Sequence, residues 1–189
     1  MEDLLDSVDQ GVRERLMVAG IREIELHGFN DFSLRRVASL CNVSCAAPYR
    51  HFKGKEELLT EIFKYINSRW QMLASEVERA FADDAGRRLR ELCVAYLRFL
   101  IVNPSYLSMI FQKNQLTDEV AQLPQPDEFV PDQVAIYGAQ MGWDSAKCAQ
   151  TEYCLRSMIY GTAMVVRNSE KSEVNAVVNQ FRECLKFID

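Results

Sequence analysis

The stretch Ser33-Leu34-Arg35-Arg36-Val37-Ala38-Ser39-Leu40-Cys41-Asn42-Val43-Ser44-Cys45-Ala46-Ala47-Pro48-Tyr49-Arg50-His51-Phe52 decides how this chain is read. Ser33 is a good N-cap for a short helix from Leu34 to Leu40. Asn42 tolerates a left-handed turn better than any residue except glycine. Ser44 then caps a further helix, Cys45 to about Arg50. Pro48 lies near the start of that helix, where a missing N–H costs least, so the helix should be short and tight. Two short helices joined by about three residues, with Val37, Ala38, Val43 and Tyr49 between them, fit a helix-turn-helix that reads DNA.

Outward from this stretch the pattern stays helical. Toward the N-terminus, Leu16, Gly20 and Ile24 form an i, i+4, i+8 row, widened by Met17 and Ile21, which predicts a helix over 11–27. Gly28 ends it in a left-handed conformation and Phe29 folds back on it. Toward the C-terminus, Phe52 closes a small core, and Gly54 and Lys55 open a long helix to about Ala82, with Glu56 and Glu57 in its first turn. Asp83 or Asp84 caps a helix over 85–103, and Pro104 restarts the chain into another through about Lys113. A short helix is expected over 116–122 and a proline-rich loop over 123–131. Helices over 132–141, 145–167 and 170–187 complete the chain, the first of them broken at Gly142. The expected fold is all-α. A three-helix, helix-turn-helix DNA-binding domain occupies 1–54, and a larger helical domain occupies 55–189.

Composition agrees. Of 189 residues only 8 are Gly and 5 are Pro, too few for a sandwich or barrel full of turns. Net charge is −5, but it is unevenly spread. From Arg13 to Lys55 there are eight bases and four acids, 8 − 4 = +4; from Glu56 onward 14 bases and 19 acids give 14 − 19 = −5. The basic excess therefore sits where phosphate would be met. The acidic start is unlike a secretory signal, and charges interrupt every apolar stretch before it could span a membrane. The cysteines at 41, 45, 93, 148, 154 and 184 read as reduced thiols of a cytoplasmic protein. There is no G-x-S-x-G, no glycine loop to cradle phosphate and no C-x-x-C, and His27 and His51 are the only imidazoles. No enzyme activity, cofactor or metal is expected.

The ordered series Leu16-Met17-Val18-Ala19-Gly20, His27-Gly28-Phe29, Ser33-Leu34-Arg35-Arg36-Val37-Ala38, Asn42-Val43-Ser44, Tyr49-Arg50-His51-Phe52 and Lys55-Glu56-Glu57-Leu58-Leu59 resembles the N-terminal domain of TetR-family regulators. The resemblance implies a dimeric repressor, occasionally an activator, whose third helix enters the major groove. It also implies C-terminal helices that dimerise and enclose a small-molecule pocket, and a long fourth helix that moves when ligand binds. Where members of the family often begin the third helix with a basic residue and a glycine, this chain has Cys45-Ala46-Ala47-Pro48. That removes a cationic contact and leaves small apolar groups for thymine methyls.

The candidate DNA-binding residues are Ser33, Arg35, Ser44, Cys45, Ala46, Ala47, Tyr49, Arg50, His51 and Lys55. Cys45, Ala46 and Ala47 face base edges in this reading. Tyr49 either touches phosphate through its hydroxyl or braces the third helix from within. Lys55 either meets phosphate or is a solvated lysine, and Ser33 and Ser44 cap helices first. One of Arg35 and Arg36 faces the DNA backbone and the other is solvated. His51 contacts DNA or makes a structural hydrogen bond beside Phe52. Cys41 and Cys45, four residues apart, are set against a redox switch by the absence of a charge partner.

In the body, Tyr96, Phe99, Phe111, Tyr153 and Ser157 are the candidate lining of a pocket for a small apolar or aromatic effector, and core packing is the alternative. Two apolar rows, containing Leu155, Ile159, Thr162 and Val166 and then Val174, Val178, Phe181 and Leu185, suit a four-helix interface in a homodimer. Packing within one chain is the alternative there. An interaction protein that uses the body to hold a partner is the competing function. The expected partners are an inverted-repeat DNA operator, a second copy and an unidentified effector.

Overall fold

The structure, a computed structural model, describes residues 2–112, 118, 122, 126–166 and 174–188, without the side chains of 2–10. Helices dominate: α1 (Glu2–His27), α2 (Leu34–Leu40), α3 (Pro48–His51), α4 (Lys55–Ala80), α5 (Ala85–Val102), α6 (Pro104–Phe111), α7 (Phe129–Met141), α8 (Ser145–Val166) and α9 (Val174–Cys184). A 3-10 turn, Leu185–Ile188, follows. No strand occurs among the described residues, so the chain is all-helical. No single helix among them is long and apolar enough to cross a membrane.

Two units divide the chain. The first comprises 1–66 and 104–123 and holds α1, α2, α3, the first three turns of α4, and α6. The expected boundary at 54/55 falls before α4, whereas this division falls inside it, between Ile66 and Asn67. Leu16, Ile24, Val37, Ala38, Phe52, Leu58, Ile62 and Phe63 form the core of this unit, and Phe63 meets Tyr106 of α6 at 5.5 Å between ring centroids. Gly20 lets α1 approach α4: a Cβ there would lie 2.5 Å from Ile62 Cδ1. Helix α1 ends as expected, with Gly28 at φ 77° and its N–H on Ile24 O at 2.9 Å.

The turn after α2 is a Schellman motif. Asn42 sits at φ 54°; its N–H bonds Ser39 O at 3.1 Å and the Val43 N–H bonds Ala38 O at 3.1 Å. Regular helix then resumes only at Pro48, later than Cys45, although the Ala47 N–H already bonds Ser44 O at 2.9 Å. Pro48 thus occupies the first helical position, where its missing N–H removes no bond.

The second unit comprises 67–103 and 124–189. Helix α5 packs against α7, α8 and α9 and buries Leu89, Leu92, Cys93, Tyr96, Leu97 and Leu100. Asp84 caps α5 by accepting the Arg87 N–H at 2.9 Å, and Asp144 does the same for α8 through the Lys147 N–H at 2.7 Å. Gly142, at φ 68°, ends α7 where the sequence predicts a break. An aromatic cluster joins the helices: Trp70 lies 4.7 Å from Tyr96, 5.7 Å from Phe99 and 5.4 Å from Phe129.

Element bounds differ from expectation at several ends. Helix α1 starts at Glu2 rather than near 11, α7 starts at Phe129 rather than 132, and the last helix tightens to 3-10 at Leu185. The short helix expected over 116–122, the loop residues 123–125 and the expected start of the last helix at 170 lie outside the described residues, save 118 and 122.

Candidate nucleic-acid interface

The helix-turn-helix surface rests on a buried carboxylate that the sequence reading missed. Glu23 of α1 is fully buried. Both Nε and Nη2 of Arg36, on α2, lie 2.6 Å from its Oε1. The Ser33 N–H donates to the same oxygen at 3.2 Å. His27 Nδ1 lies 3.0 Å from Oε2, close enough to pair electrostatically when protonated but outside hydrogen-bond geometry. Arg36 also donates to Asp31 O. Both arginines are exposed on α2, and Arg36 is tied into the frame.

On this frame Arg35, Ser44, Cys45, Ala46, Tyr49 and Arg50 are exposed, and Ser33, Ala47 and His51 are half-buried. Tyr49 is 61% exposed, so it is no core brace. The Ser33 hydroxyl makes no capping bond, contrary to expectation, and Ala47 rather than Ser44 precedes the regular turn of α3. At Ser44 the backbone group it was expected to satisfy already has a partner, since the Ala47 amide bonds Ser44 O in a tight turn; at Ser33 it is the residue's own amide that is held, by Glu23. The His51 ring centroid lies 6.3 Å from that of Phe52. Lys55 is half-buried: its Nζ donates to Asn30 O at 3.4 Å and lies 5.9 Å from the ring centroids of Phe29 and Phe32. It is engaged by its own chain and is not a simple solvated cation.

Cys41 is buried and donates through Sγ to Arg15 O at 3.3 Å. Burial pushes its thiol pKa up, only partly offset by the Arg15 charge. Arg13 stacks over Phe52 at 5.2 Å and pairs with Glu61. Burial alone would raise the Glu61 carboxyl, but hydrogen bonds and charges from Arg13 and Lys64 bring it below its ordinary value.

In the second unit the expected pocket lining is not assembled. Tyr96 is fully buried with its OH 3.3 Å from that of Tyr160, and Phe99 packs on Trp70. Tyr153 is 74% exposed, Ser157 is also exposed, and Phe111, 57% exposed, belongs to the first unit. The reason is phase: Leu155, Ile159 and Ala163 turn inward from α8, which puts Tyr153 and Ser157 on the outer side. A cleft of about 430 Å³ opens elsewhere, lined by Asn67, Trp70, Gln71, Ser75, Glu78, Glu128 and Phe129, among others. The spacing 67, 70/71, 74/75, 78 on α4 is a helical face that could have been picked out from sequence, because it mixes amides and an acid with one tryptophan. Trp70 Nε1 donates to Pro126 O at 2.8 Å behind it. Nearby, Arg156 pairs with the buried Asp127 at 3.1 Å. Burial, reinforced by Asp127, pushes the Tyr160 phenol up.

The expected dimer residues also move. Leu155, Ile159, Val166, Val178, Phe181 and Leu185 are buried within their own chain, so packing within the chain has them. Thr162 and Val174 are half-buried. The apolar rows were real, but periodicity does not say whether a row meets its own chain or a copy. Toward its C-terminal end α8 leaves Ser157, Gly161, Met164 and Val165 exposed, the last 72% exposed. Beside it a groove of about 470 Å³ runs between α8 and α9, lined by Gly161, Thr162, Val165, Val177, Gln180 and Cys184, among others.

Residues 16–62 match the family described as bacterial regulatory proteins, tetR family. The HTH-type transcriptional regulator AcrR of Shigella flexneri is 27% identical over 119 residues, 61% of this chain and 55% of that protein. The "Probable acrEF/envCD operon repressor" of Escherichia coli K12 is 24% identical over 111 residues, 57% of this chain and 50% of that protein. The chain thus spans about half the length of the curated relatives it matches. Among solved structures, the TetR family transcriptional regulator PfmR from Thermus thermophilus has a TM-score of 0.72 at 22% identity, covering 92% of this chain and 96% of that one. The fatty acid degradation regulator FadR from Bacillus halodurans has a TM-score of 0.67 at 14% identity, covering 92% and 93%. These likenesses establish a shared fold.

Proposed function

We propose that this chain, whose residues 16–62 match the tetR family of bacterial regulatory proteins, is a transcriptional repressor that binds an inverted-repeat operator as a homodimer and is released by a small molecule. The exposed surface of α2, the turn and α3, set on the Glu23–Arg36 frame, is the observation that carries the reading. Arg35, Arg50 and Lys55 supply cations to phosphate, and the Tyr49 hydroxyl and Ser33 and Ser44 supply neutral donors. Cys45, Ala46 and Ala47 offer small apolar groups to thymine methyls, and His51 stands at the edge of the set. One head makes few contacts, so two heads at a fixed spacing are needed for tight, sequence-dependent binding.

Residues 1–54 are the reading head in this proposal, and the rest of the chain senses ligand and dimerises in the cytoplasm, where the DNA is. The second copy covers the exposed α8 face and the groove beside α9, with Thr162 and Val174 at its margin. The effector enters the cleft at Trp70. Its described lining carries two carboxylates, Glu78 and Glu128, and no Lys, Arg or His, which suits a neutral or cationic effector with an aromatic part. Helix α4 carries both the cleft residues 67–78 and the first three turns of the head unit. An occupant that displaces α4 therefore shifts the population of DNA-competent dimers, by no more than its difference in affinity for the two states.

Site selection from random or genomic DNA with purified protein tests this reading, followed by affinity for the winner at several salt concentrations. An enriched inverted repeat with steep salt dependence is expected. No enrichment from a folded dimer would overturn the operator reading and favour the interaction-protein alternative.

A further inference from the structure

Resting on that reading of the head, we propose that Glu23 is a positioning residue for DNA recognition: from α1 it does the work that the third helical residue of α2 would do in an ordinary capping box. In such a box an N-cap Ser or Thr is followed three residues later by Glu or Gln, whose side chain reaches back to the N-cap amide. Here the N-cap is Ser33 and the third helical residue is Arg36, a cation that cannot accept that bond. The acid comes from another helix. The Glu23 carboxylate takes the Ser33 N–H at 3.2 Å, and Arg36 pairs with the same buried oxygen at 2.6 Å.

Two consequences follow for reading. The start of α2 is fixed to α1 by charge-assisted hydrogen bonds, which are short and directional, rather than by a local cap that would leave α2 free to rotate as a body. The Ser33 hydroxyl makes no capping bond and is left for phosphate. The exposed residues of α2 and α3 inherit their orientation from this joint, although neither Glu23 nor Arg36 stands among the exposed residues assigned to base edges.

The test uses the full chain and its selected operator, with random-sequence DNA as reference. Glu23→Gln and Arg36→Gln should each lower operator affinity roughly tenfold, the scale of one misplaced base contact. Affinity for random DNA and the salt slope should stay near the parent's, because no phosphate contact is removed. The double variant Glu23→Leu, Arg36→Glu is the deciding one. It places an acid at the third position of α2, where a local capping box with Ser33 can form, and an apolar side chain in the core. Operator affinity should return to within about threefold of the parent's, on the capping-box logic. In parallel, without DNA, hydrogen exchange at the Ser33 amide should speed up in both single variants and slow again in the double.

If the double variant binds worse than either single one, with a salt slope reduced by about one, Arg36 is a phosphate contact and the proposal fails. Operator affinity unchanged in folded single variants would reduce the cluster to a stability element. Unchanged Ser33 exchange in all of them would remove the joint itself. Failure of the DNA reading would show first in the parent chain, which would select no operator, and the exchange measurement would still decide whether Glu23 holds α2.

Discussion

Truncating Phe181 separates the two readings of the last helix. The side chain is 3% exposed within its own chain, on a helix packed against α5 and α8. Phe181→Ala therefore leaves a cavity in the second unit and should cost about 3–5 kcal/mol. For a chain of this size that is a fall in Tm of roughly 10–15 °C. Val165, 72% exposed, makes the contrast. Val165→Arg should change the stability of the isolated chain by no more than about 0.5 kcal/mol, yet it sets a charge in the face proposed to meet a second copy. Circular-dichroism melts at two protein concentrations, with sedimentation velocity on the same samples, read both effects, because a dimer's Tm moves with concentration and a monomer's does not. The expected outcome is a destabilised Phe181→Ala dimer and a folded Val165→Arg monomer. A Phe181→Ala protein that keeps the parental Tm but sediments as a monomer would refute the packing argument and return Phe181 to the interface.

Other consequences can be checked separately. Tyr49→Phe should weaken binding to operator and random DNA alike, by about two- to tenfold for one neutral hydrogen bond; unchanged affinity would remove its hydroxyl from the phosphate contacts. Glu61 titrates below its ordinary value of 4.5 in the folded chain, so its contribution is complete above that value and is lost as pH falls through the lower folded one. Glu61→Gln should accordingly lower stability slightly at pH 7, by less than about 1 kcal/mol for a half-exposed pair, and the gap in Tm should close in strong acid; a gap that widened in acid would reverse the assignment. Thiol labelling of the folded chain should modify the exposed Cys45 first and spare the buried Cys41 and Cys93, both held to the protonated thiol by burial. Early labelling of Cys41 would revive the redox alternative.

The parts of the fold legible in sequence were those with local causes. Gly28, Asn42 and Gly142 all adopt the left-handed conformation that their positions after helical rows imply. Asp84 caps α5 because a short acid before an apolar row has few other uses. Much of the candidate surface was legible as well, since Arg35, Cys45, Ala46 and Arg50 are exposed on α2, the turn and α3. What stayed hidden depends on contacts between segments distant in sequence. Glu23 reads as one more surface acid on α1 until Arg36 and the Ser33 amide are brought to it. Tyr153, expected in a pocket, and Leu155, expected at an interface, are two residues apart; the phase of α8 turns Leu155 into its own chain's core and Tyr153 outward. Phe181 and Val165 illustrate the same limit, because an apolar row has no mark that tells its own core from another copy's.

Trp70 has a use beyond closing a wall of the cleft. Its indole N–H is held by Pro126 O at 2.8 Å, and its ring borders the cleft beside Phe129. The chain has two tryptophans, and the other, Trp143, sits edge-on to Tyr137 at 5.3 Å and lines no part of the cleft. The chain thus carries its own optical gauge. An occupant that touches Trp70 changes the brightness or colour of one emitter while the second stays constant, so entry into the cleft can be followed by light in the absence of DNA and without any attached label.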